Sequence, residues 1–326
     1  MFEMRFNKKI HLLTNDTMHS LYSEENFKMP LICYRIHLSP YQGLFSDAFQ
    51  IVKNLNKSEM INYKRKLFYE SLMKKISFFN QNPQTTQKNK SYSACLVWEN
   101  NEHSLIFFRF GKERETEILN NEFHVSGKIK NWDVFLDVLV DLKDQIIAVD
   151  KNASLSFDMF EKTFFNQVKK LVANQNIELS FHPMADKTSY WDFIKENQGN
   201  ISELRVEVFA PNMPASSRSA GRLLNDLRSD FKATSTKLTA VNSQGKLNMS
   251  EENEDVQSFA ELSKDGIAEV EIKSLSRNGQ PAKIYSSTSG EAQKCINFEK
   301  KKLDSTCDSG DYSYLEQLFA EIRKLL

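Results

Sequence analysis

The chain reads as an α+β protein of two lobes. Its C-terminal lobe is expected to be an open, mainly antiparallel sheet with a repeated β-α-β element order, ferredoxin-like or related. Three observations carry this. Short alternating apolar segments recur along the chain, separated by turn residues. Helical stretches lie between them, their apolar residues three or four apart. At 326 residues the chain holds two domains or one large one, the division being read as 1–198 and 199–326, and 40% hydrophobic residues with 24 Phe are enough for a real core.

Taken in order, Leu31 to Leu38 is an early strand that Ser39-Pro40-Tyr41-Gln42-Gly43 turns out of the sheet. A helical region follows from Phe45 to Phe79, with a break near Lys57; Met60, Leu67, Phe68, Leu72 and Ile76 mark its apolar stripe. Asn80 to Ser91 is polar, contains Pro83, and is expected to be a mobile loop. Ala94 to Trp98 and Ser104 to Phe110 flank Asn100-Asn101-Glu102 as a hairpin. Glu115 to Val125 is expected to add a third strand, and Trp132 to Leu142 a helix capped by Asn131. Gln145 to Val149 reads as a short buried strand. Ser154 to Asn174 reads as a helix with Phe157, Phe160, Phe164, Val168 and Leu171 on one face. Ile177 to Phe181 is another strand and Tyr190 to Glu196 a short helix.

The C-terminal part begins with the alternating strand Ile201 to Phe209. A loop rich in Pro, Ser and Arg leads to a helix carrying Leu223, Leu224, Leu227 and Phe231, then to a strand from Lys237 to Val241. Leu247 and Met249 are expected to continue a hairpin beyond the turn at Asn242 to Gly245. A helix from Asp255 to Lys264 is stopped by Gly266, and strands follow at Ile267 to Lys273 and Ala282 to Tyr285. Cys295 to Lys301 reads as one more strand. Tyr312 to Leu326 reads as a closing helix with Leu315, Leu318, Phe319 and Ile322 inward.

Forty-three basic residues balance 43 acidic ones, which excludes a strongly basic nucleic-acid scavenger but not local patches. Cys33, Cys95, Cys295 and Cys307 show no CxxC pairing, so free buried thiols in a reducing cytoplasm are expected. Met1 to Ile10 lacks the apolar core of a secretory signal, and no apolar run approaches the roughly 20 residues that span a bilayer. A cytoplasmic protein without membrane insertion is the expectation.

Ile201 to Lys237 is the nearest thing to a site. Ser216, Ser217, Arg218, Ser219 and Arg222 stand where a helix begins, and its unpaired N–H groups suit a phosphate or nucleic-acid backbone. The glycine spacing of a Walker loop or a dinucleotide fingerprint is missing, so no cofactor is implied. The bland reading is an exposed connection in which Ser219 caps a helix. Glu269, Glu271 and Lys273 trace the outline of a metal-dependent nuclease strand, where carboxylates hold Mg²⁺ and a Lys orients water. The upstream acids Asp255 and Asp265 are poorly placed for that, and alternating charge on a half-exposed strand accounts for the pattern. The six histidines form no zinc motif, so no metal site is expected. Phe108 and Phe110 share one face of a strand with Arg109 opposite, a surface that could stack bases, although core packing is the commoner fate. Lys64-Arg65-Lys66 and Lys300-Lys301-Lys302 are the most concentrated basic runs. They join one positive face only if the fold brings them together.

Three segments together carry a resemblance: Ile36-His37-Leu38-Ser39-Pro40, Ile201 to Pro211, and Val241-Asn242-Ser243-Gln244-Gly245-Lys246-Leu247. They resemble a group of uncharacterised bacterial proteins, a domain of unknown function met in phage-defence neighbourhoods. The resemblance supplies no catalytic residues. It implies a role in immunity beside a partner effector. The resulting expectation is a non-catalytic binding or sensing component that contacts nucleic acid, DNA or RNA, or a partner protein. The alternatives are a metal-dependent nuclease and an oligomeric scaffold for an effector.

Overall fold

The computed structural model describes residues 28–40, 57–85, 90–119, 124–151, 155–175, 177–209, 235–276 and 281–325. It is an α+β protein built on two antiparallel sheets. The larger has eight strands: β1 (Lys28–Pro40), β2 (Gln84–Thr85), β3 (Ser91–Glu99), β4 (Leu105–Leu119), β5 (Val125–Asp141), β6 (Ile146–Asp150), β7 (Ile177–Pro183) and β12 (Cys295–Glu299). The smaller has four: β8 (Ile201–Phe209), β9 (Ser235–Val241), β10 (Ala268–Ser274) and β11 (Ile284–Ser286), in the order β11-β10-β8-β9.

Both faces of the large sheet are covered. On one, Ile36, Phe108, Phe110, Leu136, Val138, Val140 and Ile147 pack under helix α1 (Lys57–Gln81) and a second helical run. That run is α2 (Phe157–Phe160), a π-helical turn (Glu161–Phe165) and α3 (Asn166–Ala173). The π turn inserts one extra residue, so the buried stripe passes from Phe160 and Phe164 to Phe165, Val168 and Val172. This is why Val172, rather than the expected Leu171, is inward. The rings of Phe79, Phe110, Phe160 and Phe164 meet at centroid distances of 4.9 to 6.2 Å, the spacing of favourable aromatic pairs. On the other face, Leu31, Cys33, Leu105, Phe107, Leu139, Ile146 and Ala148 pack against α6 (Lys300–Ser309) and α7 (Ser313–Arg323).

Two-sided burial explains the main departure from expectation. Residues 132–141 lie in strand β5, not in a helix: Leu136, Val138 and Val140 enter one core and Leu139 the other. A strand buried on both faces reads as a continuous apolar run, whose period cannot tell strand from helix. Likewise, residues 115–119 of the expected third strand are the far end of β4, and Val125 begins β5. Phe108 and Phe110 are fully buried, which removes them as a base-stacking surface. Gln84–Thr85 pairs with β3, so part of the expected 80–91 loop belongs to the sheet. Leu247 continues no strand, although its N–H donates to the Ile201 carbonyl.

Among the described residues, one face of the smaller sheet is covered by helices. Leu204, Val206, Val208, Val270 and Ile272 pack against α4 (Lys187–Glu196) and α5 (Glu254–Lys264). The Asn253 side chain caps α5 by accepting from the Asp255 and Val256 N–H groups. β9 and β10 flank β8, both antiparallel to it, so β9-α5-β10 is one split β-α-β unit. The two cores cross the expected boundary at 198/199. α4 belongs to the second core, while β12, α6 and α7 return to the first. The chain therefore leaves the large sheet, builds the small one, and comes back.

The lobes meet where the turn after α5 reaches β1. Gly266 has φ +66°, and a Cβ there would stand 2.7 Å from the Arg35 Cβ, so glycine is required on both counts. Arg35 donates to the Asp265 carbonyl (2.8 Å) and the Asp144 carbonyl (2.6 Å), and His37 Nε2 lies 2.8 Å from the Gly266 oxygen. No helix among the described residues is long and apolar enough to cross a membrane.

Candidate functional site

Ser216, Ser217, Arg218, Ser219 and Arg222 lie outside the described residues. The strand that leads to them ends at Phe209, whose ring stacks on His182 at 3.7 Å. His182 Nε2 is 3.1 Å from the Ser180 hydroxyl and its Nδ1 is 3.1 Å from Glu269. The atom order is that of a Ser-His-carboxylate relay. However, His182 is covered by Phe209 and by the edge of His37 at 5.0 Å, in the polar seam between lobes. The geometry is that of an interlobe contact.

Glu271 and Lys273 lie on the face of the small sheet away from α4 and α5, while Glu269, on the same face, is engaged by His182 at the seam. Glu271 pairs with Lys273 (3.1 Å) and Arg205 (3.5 Å), and Lys273 also with Glu203 (3.4 Å). Lys237 answers Glu207 at 3.1 Å on the same face. This is cross-strand charge pairing on a solvated surface. Among the described residues, no three His, Cys, Asp or Glu side chains converge as a metal site would require.

Lys300, Lys301 and Lys302 open helix α6 instead of ending a strand. Only Lys301 and Lys302 face solvent, and Lys302 sits over the Tyr314 ring at 4.9 Å. Lys300 turns inward onto Asp137 and lies 3.6 Å from Asp150. Arg109 binds the other oxygen of Asp137 at 2.9 Å and reaches Asp304 on α6. The Phe135 ring lies under both cations, 4.7 Å from Arg109 and 4.4 Å from Lys300. Burial and the Asp137 carboxylate push the Asp150 carboxyl up to about 7, opposed by Lys300. This cluster clamps α6 to the sheet and engages Lys300 with Asp137 and Asp150. Of the four thiols, all free, only Cys33 is fully buried, and burial raises it to about 12.

An open cleft lies between α1 and the β3–β4 turn, with a volume of about 490 Å³. Arg65, Lys66, Tyr69 and Glu70 line it from the helix; Glu102, His103, Ser104, Leu142 and Lys143 line it from the turns opposite. Arg65 and Tyr69 stand four residues apart and so share one helix face. Asn100 builds the turn: its side-chain oxygen accepts from the Ser104 (2.8 Å) and Leu105 (2.9 Å) N–H groups. His103 sits there at φ +51°, in the sparsely populated left-handed region. The Tyr69 hydroxyl donates to Glu99 Oε2 (3.1 Å), and His103 Nδ1 lies 3.2 Å from both the Tyr69 oxygen and Glu99 Oε1. Burial first, and Glu99 second, raise the Tyr69 phenol, which keeps it a donor.

The Arg65 guanidinium is held by the Lys143 carbonyl at 2.6 Å, and its Nε–H is buried without a partner. Neither Arg65 nor Lys143 has a carboxylate partner among the described residues, and Lys66 makes only a loose 3.9 Å contact with Glu70. A comparable depression of about 510 Å³ runs along the helix at residues 162–173; of its three lysines, Lys162 and Lys169 are paired with Asp158 and Glu161, and Lys170 has no ion pair among the described residues. The basic run at 64–66 and the hairpin turn at 100–104 are each visible in the sequence. Their approach, through α1 packing on β3, is not. No protein-family model matches the chain, and no curated protein matches it.

Proposed function

We propose that the protein is a cytoplasmic, non-catalytic binding component that contacts single-stranded nucleic acid. The observation that carries this is the α1 cleft, where Arg65, Lys66 and Lys143 present positive charge that the fold leaves largely unpaired. Phosphate backbones recruit such cations and release counterions when bound. The pairing of Glu271 with Lys273 and Arg205, and of Lys273 with Glu203, supports binding over the nuclease alternative. Placement in an anti-phage system beside an effector rests on the resemblance carried by Ile36 to Pro40, Ile201 to Pro211 and Val241 to Leu247. The ferredoxin-like description of the small sheet belongs to the same reading. Its support is the split unit β9-α5-β10; β8 and β9, as antiparallel neighbours, supply no second one.

The test is binding of a labelled single-stranded oligonucleotide across a salt series. Lys66→Ala with Lys143→Ala is expected to weaken binding and to flatten the log–log salt slope by about 0.7 for each lysine. Equal affinity and slope in the double variant would overturn this assignment of the contact.

A further inference from the structure

We propose that the cleft between α1 and the β3–β4 turn is a subsite for one nucleoside phosphate; the proposal rests on the nucleic-acid reading above and names what that cleft takes. The cations provide the anchor for the phosphate. Arg65 is fixed in place by the Lys143 carbonyl, and Lys66 and Lys143 flank it as mobile donors on exposed stems. Three cations against the carboxylates of Glu70 and Glu102 leave the lining net positive. A bare phosphate would fill little of about 490 Å³, a volume typical of small-ligand clefts.

The other wall suits the rest of a nucleotide. Tyr69 and His103 are ring neighbours, centroids 5.3 Å apart and tilted by 43°, which gives a planar base an aromatic surface. His103 Nδ1 faces a carboxylate and a phenol oxygen, and a proton on that nitrogen is donated to them, which leaves Nε2 as a polar contact for a ligand. Glu102 and Glu70 at the rim accept from ribose hydroxyls or an exocyclic amine, and Ser104 both donates and accepts. His103 reaches Tyr69 from a turn position with left-handed backbone, and its contacts to Tyr69 and Glu99 orient the ring. The same chemistry is offered by a free mononucleotide and by the phosphorylated end of a strand.

Titration calorimetry on the full chain separates these. A nucleoside 5′-monophosphate is expected to bind at least about tenfold more tightly than the matching nucleoside or inorganic phosphate. Arg65→Ala is expected to lose about tenfold. Lys66→Ala and Lys143→Ala, both on exposed side chains that the fold does not need, are each expected to lose a few-fold. No nucleotide binding, or nucleotide binding unchanged in the Lys66→Ala, Lys143→Ala double variant, overturns the subsite. Two strands differing only in a 5′-phosphate identify the source. Tighter binding of the phosphorylated strand assigns the subsite to a strand end, and equal binding beside tight mononucleotide binding assigns it to the free nucleotide. Strand binding without mononucleotide binding removes the subsite and leaves the nucleic-acid reading. Mononucleotide binding without strand binding does the reverse.

Discussion

Two groups of basic residues sit on opposite sides of the large sheet and do opposite things. At the α6 seam, Arg109 and Lys300 are matched to Asp137, Asp150 and Asp304 at close range, and the first two carboxylates are fully buried. At the α1 cleft, Arg65 and Lys143 have no such match among the described residues, and the lysines stand in solvent. The difference is one of partners and dielectric, not of residue type. Charges desolvated together must answer one another inside the fold, whereas charges left at an open cleft are available to something outside it. The seam should therefore govern stability, and the cleft should govern binding.

The sharpest way to break that contrast is to remove Asp137, which both seam cations share. Asp137→Ala is expected to lower unfolding free energy by about 3 to 5 kcal/mol, the usual result of stranding a buried charge. A denaturant midpoint within error of the parent would refute the clamp.

Next comes pH. The Asp150 carboxyl is raised from an ordinary 3.8 to about 7, so between those values the folded state holds a proton that the unfolded state has released. Its contribution to stability is complete below about pH 4 and is lost as pH rises through about 7. That contribution amounts to at most about 4 kcal/mol. Unfolding at pH 5 and pH 8 is expected to show this decline, and Asp150→Asn is expected to flatten it. An unaltered pH slope in that variant would place the titration elsewhere.

Arg323 offers an intermediate case, half-exposed yet paired with buried Asp141 (2.7 Å) and with Asp144 (3.2 Å). Arg323→Ala is expected to cost about 1 kcal/mol, more than a surface pair and less than the seam. Smallest of all, Lys66→Ala and Lys143→Ala are expected to leave stability within about 0.5 kcal/mol. A loss of several kcal/mol at either lysine would make the cleft structural and erase the distinction.

Much of the fold is legible in the residues. The hairpin around Asn100 to Glu102, the Phe157 to Val168 stripe, the helix stopped by Gly266 and the closing helix with Leu315, Leu318, Phe319 and Ile322 all express local periods and breakers, and each is present. Where local period is ambiguous, it misleads. Val134 to Val140 is apolar on both faces and suggests a helix, because nothing local says that helices will cover both sides of the strand. The stripe's end shifts by one residue because a π turn intervenes.

The candidate site is legible in parts. Lys64-Arg65-Lys66 stands out as a basic run, as does Lys300-Lys301-Lys302, and as sequence the two look alike. One opens onto a cleft; the other sends Lys300 into a buried acid pair. Tyr69, Glu99 and His103, separated by up to 34 residues, give no sign in the sequence of meeting.

What the sequence by itself determined is the alternation of strand and helix, the α+β class and the apolar faces, since these follow from backbone geometry and side-chain periods within a few residues of each other. What only the tertiary structure decided is which charges are paired. Burial and long-range approach set the dielectric around each ion, and the chain's return to the first sheet through β12, α6 and α7 brings Lys300 to Asp137. The same folding leaves Arg65 and Lys143 facing open space beside the Asn100 turn.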